Sequence, residues 1–180
     1  MRRIAIAGGL ALAASPALAQ TPPAAPPPPP PPCESEAHRA FDFWVGAWDV
    51  YPTAQPARPV ARSVIERLYK GCAIRENWGP FSGNDGGSLS SYVGGDVAGG
   101  WRQTWVGSSG ERVDFKGGWN GQAMVLTGFW PGVNGPGQDA TVRMTYTRSA
   151  DGSVRQLGEA TTDGGKTWQP SFDFTYRPAQ

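Results

Sequence analysis

From residue 45 onward, apolar and polar side chains alternate along short segments that are separated by glycine-rich turns. Segment 111–117 shows the alternation most clearly, with three charged positions interleaved by apolar ones: Arg112, Asp114 and Lys116 against Val113 and Phe115. A period of two is typical of a β-strand with one face in water and the other in a core. The charged set must face water, so the apolar set is expected to face inward. Segment 140–148 repeats the pattern, with an inward set of Val142, Met144 and Tyr146.

Ten segments qualify as strands by this pattern. They are Val45–Tyr51, 62–70, 72–79, 87–94, 100–106, 111–117, 122–130, 140–148, 153–161 and 167–177. Asn-Gly and Asp-Gly pairs in the intervening turns supply the positive φ that tight hairpins need. Because every connection except 53–61 is short, neighbouring strands should pair antiparallel. The sequence therefore predicts an all-β fold, a barrel of about ten antiparallel up-and-down strands, whose closure leaves no unpaired edge.

The segment before the first strand has helical spacing instead. Ala37, Phe41 and Trp44 fall at i, i+4 and i+7 and form one apolar face between Glu34 and Trp44. We expect a short helix there that caps one mouth of the barrel.

Two of the predicted strands carry polar and aromatic side chains on the same face. Glu76 alternates with Ile74 and Trp78, and Gln103 lies between Trp101 and Trp105. If the aromatic rings point inward, a carboxylate and an amide lie in an aromatic interior, where the carboxylate must find donors or take up a proton. Such walls suit a small apolar or amphiphilic ligand. The candidate ligand-binding residues are Glu76, Trp78, Tyr92, Trp101, Gln103 and Trp105.

A filled barrel is the alternative. The inward aromatic side chains, among them Trp168, Phe172, Phe174 and Tyr176 of the last strand, are numerous enough to occupy the interior. Glu76 would then pair with an inward Arg67 and with Gln103. The sequence leaves the open and the filled interior as equal alternatives.

The first 32 residues are expected to lie outside the barrel domain, which spans 33–180. Residues 1–19 resemble a secretory signal peptide, with the charged start Arg2-Arg3, an apolar run over 4–14 and small residues up to Ala19. We expect cleavage after Ala19 and a soluble product in the periplasm or outside the cell. The proline-rich segment 20–32 is expected to be a disordered linker, extended as polyproline II. It is either a solvated tether or a stalk or ligand for a proline-binding domain.

Composition narrows the classes of partner. The formal net charge is +1, and the folded part has no basic run of the kind that binds nucleic acid. No membrane span is expected, and the oligomeric state is left open. Export would permit a disulfide between Cys33 and Cys72, the only two cysteines. We prefer this bond, which would attach the N-terminal segment to the barrel wall, over two free thiols.

Two positions at the ends of the domain carry a resemblance to a known superfamily. Gly46-Ala47-Trp48 on the first strand and Arg177 on the last resemble the signature of the calycins, which include lipocalins and fatty-acid-binding proteins. In that superfamily the tryptophan plugs one end of a barrel and the basic side chain packs over its ring. The resemblance therefore implies structural roles for Trp48 and Arg177.

Four further segments narrow this resemblance to a bacterial family of small exported calycin-like proteins that is usually called a domain of unknown function. They are FDFWVGAWDV from Phe41, GCAIRENW from Gly71, WRQTWV from Trp101 and DGGKTW from Asp163. The resemblance implies a fold and a compartment and says little about activity. Relatives tend to have Trp-His-Gln where this chain has Trp101-Arg102-Gln103, and His38 lies outside the strands, so neither haem nor a histidine-bound metal is expected.

Three functional hypotheses follow. The first is a small-molecule binding protein of the cell envelope, the second an interaction or scaffold module, and the third an enzyme with Glu76 as general acid or base. Against the enzyme, the chain has no nucleophile–base pair, phosphate loop or histidine cluster. We therefore assign no catalytic residue, cofactor or metal. Asp163, in a single Asp-box-like turn, is expected to bond to its own turn.

Overall fold

The alternating segments form ten antiparallel strands in the computed structural model, which describes residues 33–94 and 100–180. The strands are β1 (Gly46–Pro52), β2 (Ala61–Leu68), β3 (Ala73–Pro80), β4 (Gly86–Val93), β5 (Gly100–Gly107), β6 (Arg112–Trp119), β7 (Met124–Trp130), β8 (Ala140–Arg148), β9 (Val154–Thr161) and β10 (Gln169–Pro178). The predicted signal peptide (1–19), the proline-rich linker (20–32) and the turn residues Gly95 and Asp96 lie outside the described residues.

Each strand pairs with its neighbours in sequence, and β1 closes the barrel by pairing with both β2 and β10. The predicted ten-stranded antiparallel barrel is thus confirmed. Alternation also assigned the faces of β6 and β8 correctly, since Val113, Phe115, Val142, Met144 and Tyr146 are all buried.

The segment before β1 closes one end of the barrel. The single helix predicted over Glu34–Trp44 is divided into α1 (Glu36–Arg39) and a 3₁₀ turn at Asp42–Trp44. Phe41 and Trp44 are fully buried and stack on each other with ring centroids 5.0 Å apart. We call Phe41 and Trp44 the plug.

Two tryptophans of the barrel wall fix the plug segment by hydrogen bonds. Trp48 Nε1 donates to the carbonyl of Trp44 at 2.9 Å, and Trp101 Nε1 donates to the carbonyl of Ala37 at 3.1 Å. A second aromatic contact links Phe41 edge-on to Trp101. Trp48 therefore lies at the closed end, buried beneath the segment that closes it.

Arg177 does not cover Trp48. Its guanidinium lies over the ring of Tyr51, 4.5 Å from the centroid. The reason is the pleat of β1, in which Trp48 points inward while Asp49 and Tyr51 point outward. Arg177 is paired with Asp49 across the strands and shares its outer face. The two terminal strands meet, but their alternation keeps these two side chains on opposite sides of the sheet.

Trp168 also faces away from the interior, contrary to the prediction. It packs under the guanidinium of Arg143, 4.2 Å from the ring centroid, and Arg143 is an outward residue of β8 bonded to Glu159. The register of β9 and β10 shifts between Pro170 and Phe172. A β-bulge of one residue inverts the alternation, so Trp168 and Phe172 lie on opposite faces despite their even spacing.

The Asp-box-like turn behaves as expected. Asp163 accepts hydrogen bonds from the backbone N–H groups of Lys166 and Thr167, at 2.9 and 3.0 Å, and from the Thr167 hydroxyl at 2.6 Å. Its carboxylate therefore shapes the turn between β9 and β10.

A disulfide joins Cys33 to Cys72, with Cα atoms 4.9 Å apart, which confirms the predicted pairing. It attaches the segment that precedes α1 to the turn between β2 and β3.

Within 33–94 and 100–180, no helix is both long enough and apolar enough to span a lipid bilayer.

We expect the disulfide to be a main determinant of stability. Replacing Cys33 and Cys72 by serine should lower the free energy of unfolding by roughly 4 kcal/mol, because the unfolded chain regains the freedom of a loop of about 40 residues in the chain-entropy model. Urea denaturation at pH 7 measures the change. Reductant should destabilise the natural chain equally and leave the double variant unaffected. Equal stability of the two chains would contradict this role.

Candidate binding cavity

The barrel contains a cavity of about 350 Å³. It lies between the plug and the mouth at the other end of the barrel. Its deep part is lined by seven buried side chains: Glu76, Gln103, Phe115, Met144, Tyr146, Gln156 and Tyr176. Its outer part is lined by half-buried or exposed residues: Trp78, Trp105, Trp130, Val133, Ser171, Phe172 and Phe174. The cavity thus has a polar floor and an aromatic mouth that reaches the surface.

The strands place the two parts by their direction. β3 and β5 both begin at the plugged end, so Glu76 and Gln103 lie midway along the barrel and Trp78 and Trp105 lie two residues nearer the mouth. Phe172, near the start of β10, lies against Gly158 of β9, where any larger residue would collide with its ring. An inward glycine therefore makes room for one of the mouth aromatics.

Three small, buried serines lie near Glu76 and Gln103. Ser63 on β2 and Ser88 and Ser90 on β4 are buried where larger side chains would fill the space. Ser63 Oγ donates to Glu76 Oε1 at 2.9 Å, and Ser88 Oγ donates to Glu76 Oε2 at 3.4 Å. Ser90 Oγ accepts from Gln103 Nε2 at 2.9 Å. The polar groups on this side of the cavity are therefore held by β2 and β4.

A second chain of hydrogen bonds crosses the cavity floor. Tyr176 has one hydroxyl hydrogen and two acceptors within reach, Gln156 Oε1 at 2.7 Å and Glu76 Oε1 at 3.3 Å. Gln156 Nε2 in turn donates to the hydroxyl of Tyr146 at 2.9 Å. When Tyr176 donates along the shorter path to Gln156, its contact with Glu76 is a hydrogen bond only if Glu76 carries a proton.

Burial raises the pKa of Glu76 to about 7, against the opposing effect of hydrogen bonds from Ser63, Tyr176 and Ser88. Burial, together with the charge on Glu76, also raises the pKa of Tyr146 and of Tyr176 well above 10. The two phenols thus stay neutral at physiological pH, whereas Glu76 changes charge there.

The alternative partner for Glu76 is engaged elsewhere. Arg67 Nη1 donates to Asp42 Oδ2 at 2.9 Å, next to the plug. No salt bridge of the described residues includes Glu76. A filled barrel was expected to pair Glu76 with Arg67 and Gln103. Within residues 33–94 and 100–180 this pairing is absent.

Four of the six candidate ligand-binding residues line the cavity, namely Glu76, Trp78, Gln103 and Trp105. The other two lie at the plugged end, where Trp101 is bonded to the α1 segment and Tyr92 packs against the ring of His38. The face assignment was correct for Trp101, but its position along the strand puts it on the other side of the plug.

Gln156, the amide that links the two tyrosines, was not among the predicted ligand-binding residues. Its signal was present in β9, where Arg155 and Glu159 occupy the outward positions and leave Gln156 on the inner face. Trp130 carried a similar signal, since it shares the alternate positions of β7 with the buried Met124 and Leu126. Val133, in the loop after β7, carried none. Both join the cavity because the end of β7 and this loop lie at the mouth.

No group of three or more His, Cys, Asp or Glu side chains in the described part of the chain is arranged to hold a metal ion. No protein-family model matches the chain, and no curated protein is detectably similar to it in sequence. What the fold and the cavity define is a class: a closed ten-stranded antiparallel barrel, plugged at one end, with a carboxyl group in an aromatic-rimmed interior.

The raised pKa of Glu76 should make stability fall as pH rises from about 4.5 to about 7. In that window the folded chain holds a proton that the unfolded chain has lost, so each pH unit costs about 1.4 kcal/mol, roughly 3 kcal/mol in all. Glu76→Gln removes the proton and should flatten this part of the profile.

Urea denaturation at intervals between pH 4.5 and 8 tests this difference. Glu66→Gln is the matched control, because Glu66 is an exposed carboxylate on the neighbouring strand whose pKa is lowered by Arg75. Its profile should run parallel to that of the natural chain over this window. Parallel profiles for all three chains would mean that Glu76 does not titrate near neutrality.

Proposed function

We propose that this chain is an exported binding protein that takes a small apolar or amphiphilic molecule into the barrel. The observation that carries the proposal is the union, in one cavity, of an aromatic mouth and a buried polar floor. Its volume of about 350 Å³ falls in the lower part of the range for small-molecule sites. The ligand would be correspondingly small.

The two parts of the cavity assign two parts of the ligand. An apolar or aromatic portion would lie among Trp78, Trp105 and Trp130, where burial of its surface provides the free energy of binding. A polar group would reach Glu76 and Gln103, since a buried polar atom needs a partner. An amphiphile fits both conditions better than a hydrocarbon.

Export is supported by chemistry as well as by sequence. The Cys33–Cys72 bond suits an oxidising compartment, because thiols in the cytosol are kept reduced. The leader-like residues 1–19 and the resemblance to exported calycin-like proteins point the same way. We therefore propose a periplasmic or extracellular location.

A second candidate function is an enzyme in which Glu76 transfers a proton. The specific observation in its favour is the pKa of about 7, which suits a general acid or base at neutral pH. Incubating the protein with a ligand that it binds, and analysing the recovered compound, separates the two functions. A carrier returns the ligand unchanged, whereas an enzyme returns a product whose formation stops in Glu76→Gln.

We expect small planar aromatic compounds and short fluorescent fatty acids to change the tryptophan emission, since Trp78, Trp105 and Trp130 all line the cavity. Val133→Trp should weaken binding by roughly tenfold or more, about 1.4 kcal/mol, because the added ring occupies the mouth. Fluorescence titration gives both affinities.

Val64→Trp is the matched control, because it makes the same substitution at an exposed, outward position of β2. Its affinity should equal that of the natural chain. Binding that is blocked in neither variant would place the ligand outside the barrel, and no emission change with any compound would remove the proposed function.

A further inference from the structure

Glu76 has fewer good hydrogen bonds than a buried carboxylate requires. Two carboxylate oxygens offer about four acceptor sites. Ser63 donates at 2.9 Å, whereas the contact with Ser88 is 3.4 Å long and the single hydroxyl hydrogen of Tyr176 is divided between Gln156 at 2.7 Å and Glu76 at 3.3 Å. The carboxylate therefore has unused acceptor capacity, and it faces the cavity.

The protein also supplies no positive charge for it within the described residues. The salt bridges of residues 33–94 and 100–180 leave Glu76 out, and the inward Arg67 is bonded to Asp42. An isolated buried carboxylate is strongly disfavoured unless it gains a proton or a cation. A proton on Glu76 meets this requirement, and a cationic ligand would replace that proton.

The side chains around the mouth also favour a positively charged ligand. Indole and phenyl faces attract cations through the negative face of the ring, and three tryptophans line the mouth. The Trp105 Nε1–H donates to Glu111 Oε1 at 3.4 Å. Glu111 is an ionised carboxylate, since hydrogen bonds, chiefly from Ser109, lower its pKa. A cation entering here therefore passes rings and a negative charge.

We propose that the ligand is an organic cation, an amine on a small apolar framework, whose ammonium group bonds to Glu76 while its framework lies among Trp78, Trp105 and Trp130. This inference rests on the proposed function and names its ligand class. The ammonium hydrogens take the unused acceptor sites of Glu76, and the rings of the mouth enclose the rest.

Amine binding is then coupled to the proton on Glu76. The titratable groups that face it are Tyr176 from β10 and Tyr146 from β8, and both phenols remain neutral up to pH 8 because their pKa values lie well above 10. Since the amine takes the carboxylate form, its affinity should rise with pH through about 7. Between pH 5.5 and pH 8 the rise should be roughly thirtyfold.

Three probes of one shape and different charge test the proposal: 2-naphthylmethylamine, 2-naphthylmethanol and 2-naphthoic acid. Calorimetric titration at pH 8 should show the amine binding the natural chain at least roughly tenfold more tightly than the alcohol, with the acid weakest. Glu76→Gln should abolish the advantage of the amine, whereas Glu66→Gln, which removes an exposed carboxylate, should retain it.

The natural chain provides a second measurement that needs no variant. Its affinity for the amine should rise between pH 5.5 and 8 while its affinity for the alcohol stays constant. Equal affinities for amine and alcohol, a preference for the acid, or an amine preference that persists in Glu76→Gln would each overturn the cationic ligand while leaving the binding protein intact. If none of the three probes binds or changes tryptophan emission, the proposed function fails and the inference with it.

Discussion

Closure of the sheet through β1 is the constraint on which the rest of this molecule depends. By pairing with β2 and β10, β1 removes both free edges and commits the chain to a ring of ten strands. Eight strands give an interior that side chains just fill, and ten give a wider one. The chain meets that extra width at one end by inserting Phe41 and Trp44 from the segment before β1. Towards the other end it leaves the space open.

The open half is not simply an unfilled core, because its floor is polar. Glu76, Gln103 and Gln156 are buried where apolar side chains would have been more favourable for stability. The serines of β2 and β4 and the two tyrosines satisfy these groups in part, and the shortfall is concentrated on Glu76. A carboxyl group that gains and loses a proton near neutral pH is more typical of a functional site than of a packed core.

Trp48 and Arg177 have separate roles in this barrel. Trp48 lies at the closed end, where it is bonded to the carbonyl of Trp44. Arg177 stacks on Tyr51, outside the barrel. A tryptophan and a basic residue on adjoining terminal strands meet only if their side chains share a face, and the register of β1 and β10 places them on opposite faces. The order of the strands predicted that β1 and β10 would pair, but it did not predict whether Trp48 and Arg177 would touch.

Strand positions, their antiparallel order and the inward direction of Glu76 and Gln103 were contained in the sequence, because alternation and turn residues act over a few neighbours. Trp168 was placed on the wrong face because one extra residue in β10 inverts the alternation. Pro170 is a residue type often found at bulges, but the position of the extra residue is visible only in the pairing of β10 with β9. Trp101 was assigned the correct face but lies at the plugged end of the barrel instead of in the cavity. Its place depends on how the segment before β1 folds back into the barrel. Whether the interior was open or filled also lay beyond local patterns. That outcome depends on summed volumes from ten strands and on the partner that Arg67 takes, which are properties of the assembled barrel.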